Sequence, residues 1–64
     1  MLEKWTGRLV GKMHCYGITL GDVAARLGVS TPYVSMILNG VRKPKDARGR
    51  LEAAVDEIIR EIGE

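Results

Sequence analysis

The sequence predicts an all-α fold: a compact four-helix domain over residues 1–64, with a long C-terminal helix. Three observations carry this. Apolar residues recur at steps of three and four along the chain, the spacing of a helix face. Residues that start and stop helices punctuate that spacing. No useful stretch alternates with period two, so no sheet is expected. A chain of 64 residues makes one domain and buries only about 60% of the surface its unfolded form exposes. That suffices for a small helical core but not for a deep catalytic cleft.

In the first helix, Leu2, Trp5, Leu9 and Met13 share one face, with Val10 beside it. Gly7 and Gly11 each cost about 1 kcal/mol of helix propensity relative to Ala, so packing must hold this helix. Gly17 supplies its stop. Trp5 is expected in the core, with a dimer surface as its other reading. Thr19 caps the second helix, and Asp22 stands three residues on, as in a capping box. Val23, Ala24 and Leu27 form its inner face with Leu20, and Gly28 ends it. Ser30 caps the third helix. Pro32 sits in its first turn, where a missing N–H costs nothing. Val34, Ile37 and Leu38 point inward, and Asn39-Gly40 ends the helix in a left-handed cap. A basic turn containing Pro44 follows. Asp46 is the expected N-cap of the last helix, about 46–62. Leu51, Val55, Ile58 and Ile62 make its seam, flanked by Ala54 and Ile59.

Two helices joined by so short a turn, with a Gly in it, must cross steeply. Ala24 is small where the third helix comes close, and Gly28 permits positive φ at the corner. Val34 and Ile37 fill the angle between the helices. These are the steric requirements of a helix-turn-helix, with its core at about 19–40.

The stretch "ITLGDVAARLGVSTPYVSMILNGVRKP" resembles the helix-turn-helix of the lambda-repressor/Cro-like family, also called the Xre family. Thr19, Val23-Ala24, Leu27-Gly28-Val29-Ser30, Val34-Ser35, Ile37, Asn39-Gly40 and Arg42 carry the resemblance, with Pro44 soon after. It covers the middle 27 residues best and weakens in the flanking helices. The resemblance implies a lambda-repressor-like all-α fold that binds double-stranded DNA with its third helix.

With Val34, Ile37 and Leu38 inside, the outer side of the third helix carries Pro32, Ser35, Met36 and Asn39, flanked by Thr31 and Tyr33. None is charged, whereas a merely solvated helix face usually carries charge. Short polar, amide and apolar groups suit base edges and thymine methyls in the major groove. The resemblance implies base contact by Thr31, Pro32 and Met36, and Ser35 is a further candidate. Amide or basic side chains are commoner there in the family. Readout here therefore leans on van der Waals contact and DNA shape. Pro32 equally serves to start the helix, and Met36 to pack on a partner protein.

Backbone-contact candidates are Thr19, Ser30, Tyr33, Asn39, Arg42, Lys43 and Lys45. Capping by Thr19 and Ser30 is compatible with phosphate contact at a helix N-terminus. Tyr33 meets phosphate or sugar, or else covers the adjacent helix. Asn39 reaches phosphate, or else only stops the helix. Arg42, Lys43 and Lys45 lie on the turn and are the best phosphate binders, with Arg48 and Arg50 as weaker candidates. The family's glutamine after the position of Thr19 is Leu20 here, so that phosphate contact is not expected. A buried Arg–Glu pair found in some members is replaced by Met13 and Leu38, an apolar pair that packs without the cost of desolvating charge.

Charge is segregated. Arg42, Lys43, Lys45, Arg48 and Arg50 stand against Asp46 alone, while beyond Leu51 only Arg60 opposes Glu52, Asp56, Glu57, Glu61 and Glu64. The basic end invites a polyanion and the acidic end repels it. Cys15 is the only cysteine and His14 the only histidine, so neither an internal disulfide nor a structural zinc site is expected. Cys15 is expected to be half-buried and His14 solvated. No apolar run approaches the ~20 residues of a membrane span, and Glu3, Lys4, Arg8 and Lys12 interrupt any signal-peptide core. The expectation is a soluble cytoplasmic protein without cofactor, metal or small-molecule substrate. It is not an enzyme, since no nucleophile–base pair or phosphate loop is present.

The leading expectation is a phage or mobile-element repressor that reads DNA as a two-fold dimer. Val55, Ile58, Ile59 and Ile62 are the candidate dimer interface, unless that stripe covers the domain's own core. The alternative is a protein-interaction module of antitoxin or adaptor type on the same fold.

Overall fold

Local chemistry sets the helix boundaries. The computed structural model describes residues 4–63 and contains four helices: α1 (Lys4–Tyr16), α2 (Leu20–Leu27), α3 (Thr31–Leu38) and α4 (Ala47–Ile62). About 75% is helical and no strand forms among the described residues, as expected. Leu2 lies outside the described residues. Thr19 and Asp22 make the reciprocal box at the start of α2: the Asp22 N–H donates to Thr19 Oγ1 at 3.1 Å and the Thr19 N–H donates to Asp22 Oδ2 at 2.9 Å. Gly17, Gly28 and Gly40 take φ of 68°, 73° and 78° after α1, α2 and α3. After each, the next N–H reaches back to a carbonyl of the last turn: Ile18 to Met13, Val29 to Ala24 and Val41 to Met36, at 2.9–3.0 Å. This motif satisfies helix-end carbonyls that would otherwise need water.

α2 packs on α3 and on α4, and α1 packs on α4. The core is Leu9, Met13, Ile18, Val23, Ala24, Val34, Ile37, Leu38, Leu51, Ala54 and Val55. Trp5, Leu20, Leu27, Tyr33, Ile58 and Ile59 pack around it, partly buried. Met13 and Leu38 are both buried, so the apolar replacement of an ion pair packs as expected. Thr6 is buried too. An apolar count misses it, although its methyl group suits that face.

Three expectations are corrected. Asp46 holds the N-cap position of α4 but makes no capping bond, because its backbone is left-handed at φ 61°, ψ 23°. A capping side chain needs an extended backbone to reach the first-turn N–H groups. The Asp46 carboxylate lies instead against Gly49, where a Cβ would stand 2.6 Å from Oδ1. Val55 is completely buried, because α1 and α2 both cover this stretch of α4, so it is unavailable to a second copy. Cys15 is exposed rather than half-buried.

The acidic part of α4 meets cations of the other helices. Lys12 Nζ lies 2.8 Å from Asp56 Oδ1, tying α1 to α4. Arg26 pairs with Glu61 and, at 3.7 Å, with Glu57, tying α2 to α4. The hydrogen bond from Arg26 holds the Glu61 carboxyl below its ordinary range. The bond to Asp56 raises Lys12. These groups are solvent-exposed, so the ties orient the helices more than they stabilise them.

Candidate nucleic-acid interface

The corner between α2 and α3 is closed by Gly28, with Ala24 and Val34 buried beneath it at 2% and 0% exposure. Burial of Val34, Ile37 and Leu38 fixes the rotation of α3 about its axis. The opposite side then faces outward: Thr31, Pro32 and Asn39 are exposed, and Ser35, Met36 and Tyr33 partly exposed. None of the four base-contact candidates is hidden in the core.

The N-terminus of α3 is capped by Ser30, whose Oγ accepts the Tyr33 N–H at 3.2 Å. Its first turn holds no acidic residue, whereas that of α2 holds Asp22. The positive end of the α3 dipole is therefore open to an outside anion, while that of α2 already carries a carboxylate. Of the two caps, only Ser30 stands at a helix start free of an acidic side chain. The two helix starts lie close: a Cβ on Gly21 would stand 3.6 Å from Thr19 Oγ1 and 3.8 Å from Thr31 Oγ1. Leu20, which replaces the family's phosphate-holding glutamine, is partly buried against the core.

The basic turn is held to α3 by its backbone. The Met36 carbonyl accepts the N–H of Val41 at 2.9 Å and of Arg42 at 3.2 Å. The Arg42 guanidinium lies 6.0 Å from the centre of the Tyr33 ring, at the outer range of a cation–π contact. Tyr33 thus packs partly buried against the core and lies beside Arg42 as well. Arg42, Lys43 and Lys45 are exposed and form no ion pair among the described residues. The same holds for Arg50, while Arg48 pairs with Glu52 at 3.2 Å. Arg42, Lys43, Pro44 and Arg48 also line a depression with Trp5, which places the start of α1 beside the turn.

Asn39 ends α3, the second of the two roles read for it. Its Nδ2 donates to the Ser35 carbonyl at 2.9 Å and to Ser35 Oγ at 3.2 Å. The side chain nevertheless remains exposed. Val41, which sequence reasoning passed over, is 72% exposed at the start of the cationic turn. Its place between Gly40 and Arg42 was the one available signal.

Of the C-terminal stripe, Ile58 and Ile59 are partly buried against the core and Ile62 is 56% exposed. Among the described residues no helix is long and apolar enough to cross a membrane.

A helix-turn-helix family model, HTH_3, matches residues 16–48, from the end of α1 to the first turn of α4. No curated protein and no solved structure matches the chain. The matched span is just over half of the sequence and contains α2, the Gly28 corner, α3 and the cationic turn. The chain therefore belongs to the Xre/lambda-repressor-like helix-turn-helix family and is a DNA-binding regulatory domain.

Proposed function

We propose that this domain binds a specific double-stranded DNA site and represses by occupying it, as a phage or mobile-element repressor does at a promoter or origin. α3 enters the major groove. Thr31, Pro32, Ser35 and Met36 meet base edges. Ser30 at the open helix start, with Thr19, meets one phosphate strand, and Arg42, Lys43 and Lys45 meet the phosphates beside the turn. Tyr33 holds Arg42 in place.

One observation supports this reading above the others. The uncharged outer side of α3 adjoins cations without acidic partners, while the acids of α4 are engaged by Lys12, Arg26 and Arg48. A surface of that kind offers shape and hydrogen bonds to bases and free charge to phosphates. One module gives limited affinity, so two copies bind half-sites about 34 Å apart. Ile58, Ile59 and Ile62 are the residues left for contact between copies once Val55 is assigned to the core.

The test is titration of duplex DNA across a range of salt, followed by selection of bound sites from random duplex. The expected result is a log K that falls linearly with log salt, and a palindrome with half-sites one helical turn apart. Absence of binding at low ionic strength would refute the proposal. A partner protein bound without salt dependence would favour the antitoxin or adaptor reading.

A further inference from the structure

Resting on the reading of α3 as the major-groove helix, we infer that His14 makes a further phosphate contact, from α1, in its protonated form. The inference starts from where the imidazole lies. His14 is exposed and lines an open depression whose other wall is Ser35, Leu38 and Asn39 of α3. Ser35 and Asn39 belong to the outward side of that helix. The end of α1 therefore borders the same surface that α3 offers to DNA.

Two other cations of α1 face α4 instead. Lys12 is tied to Asp56, and Arg8 lines a separate depression with Lys12, Glu52 and Asp56. His14 is the basic residue on the α3 side, and the rest of that depression is uncharged. α2 contributes Leu20 to it, and the acid of its first turn, Asp22, accepts the Thr19 N–H. α3 carries no charged residue. Along α1 the nearest titratable neighbours are Lys12, Cys15 and Tyr16, none of them a carboxylate. No acidic side chain pairs with His14 among the described residues. It also stands in the last turn of α1, the end of a helix that suits a cation.

The chemistry selects phosphate. A protonated imidazole has two N–H donors and no acceptor, which matches the acceptor-only oxygens of the DNA backbone. With the outer side of α3 laid in the groove, the wall opposite Ser35 and Asn39 meets the bordering strand rather than base edges. Histidine ordinarily changes charge between about pH 5 and 8. The contact is therefore gained as pH falls, in addition to those of Arg42, Lys43 and Lys45, which stay charged throughout.

The test compares the native chain with H14Q and H14R on random and selected duplexes, at about pH 5.5 and about pH 8, either side of an ordinary histidine titration. At the lower pH the native chain is expected to lose about 3.5-fold more affinity than H14Q over a fourfold rise in salt, a slope steeper by about 0.9 per bound copy. At the higher pH the two chains match. H14R keeps the steeper slope at both, a gain that a damaged fold could not produce. The effect is the same on random and selected DNA, because a phosphate contact carries no sequence information.

The inference is overturned if the native chain and H14Q share one slope at the lower pH, or if H14R is no steeper than H14Q at the higher. A difference confined to the selected site also overturns it, since that marks a base contact. Those outcomes leave the DNA-binding reading intact. Absence of any salt-dependent duplex binding by the native chain at either pH would instead remove both.

Discussion

Replacing Arg42 and Lys43 together by Ala isolates the phosphate part of the interface. Both side chains are exposed and free of acidic partners among the described residues, so their loss breaks no ion pair of the fold. The bond from the Arg42 N–H to the Met36 carbonyl belongs to the backbone and survives. Each phosphate neutralised adds about 0.9 to the slope of log K against log salt, so two lost contacts flatten it by about 1.8. Over a fourfold rise in salt, each contact weakens binding by a factor of about 3.5, and two by about twelve. The native chain should therefore lose about twelvefold more affinity than the variant over that rise, on random and selected DNA alike. Fluorescence anisotropy of labelled duplexes at several salt concentrations measures this directly. An unchanged slope in the variant, or a loss confined to the selected site, would refute the assignment of these two residues to phosphates.

The remaining expectations concern stability. Gly7 and Gly11 sit within α1, and a Cβ added at either would meet nothing within 4 Å, so G7A and G11A should each stabilise by about 0.5–1 kcal/mol; a thermal melt should show a rise of several degrees, and a fall would mean that this face is in use. Leu51 is 1% exposed at the centre of the core. L51A should cost about 2–5 kcal/mol, a large share of the stability of so short a chain, and chemical denaturation would detect the early or lost transition. Because Arg26 depresses the Glu61 carboxyl, its contribution is present above the ordinary glutamate range and is lost as pH falls through the depressed value. E61Q should therefore flatten the acid side of a stability–pH curve, and an unaltered acid limb would count against the tie.

The parts of this fold legible in the sequence are those decided within four residues. Thr19 and Asp22 box each other, Ser30 caps, and Gly28 and Gly40 turn left-handed, each by contacts that sequence neighbours can supply. The apolar spacing of α3 gave its rotation for the same reason: Val34, Ile37 and Leu38 share a face wherever the helix packs. Asp46 was not legible, because its φ answers to how the Pro44 turn spans from α3 to α4. Val55 and Ile62 lie on one helical stripe, and only the reach of α1 and α2 along α4 decides which is buried. The ties of Lys12 to Asp56 and Arg26 to Glu61 join residues 44 and 35 positions apart, so an acidic end that looks repulsive in sequence is largely matched by the fold's own cations. The Ser35–Asn39 bond is the exception. It spans four residues on a helix, a spacing at which side chains meet, yet the sequence reading left it out.

The electrostatic arrangement has a consequence for the free protein. Pairing Lys12, Arg26 and Arg48 with the acids of α4 leaves Arg42, Lys43, Lys45 and Arg50 without ion pairs among the described residues, with Asp46 the one acid in that stretch. Arg48 and Arg50 also lie in the first turn of α4, where no acidic residue stands and where cations oppose the helix dipole by about 0.3–1 kcal/mol each. Asp46, the residue placed to relieve that end, makes no capping bond. The free domain thus retains unfavourable charge at the site assigned to phosphates, and a docked polyanion would remove it. Ion pairs that engage the acids of α4 and a poorly compensated start to the same helix act together: both leave the cations of the turn unpaired.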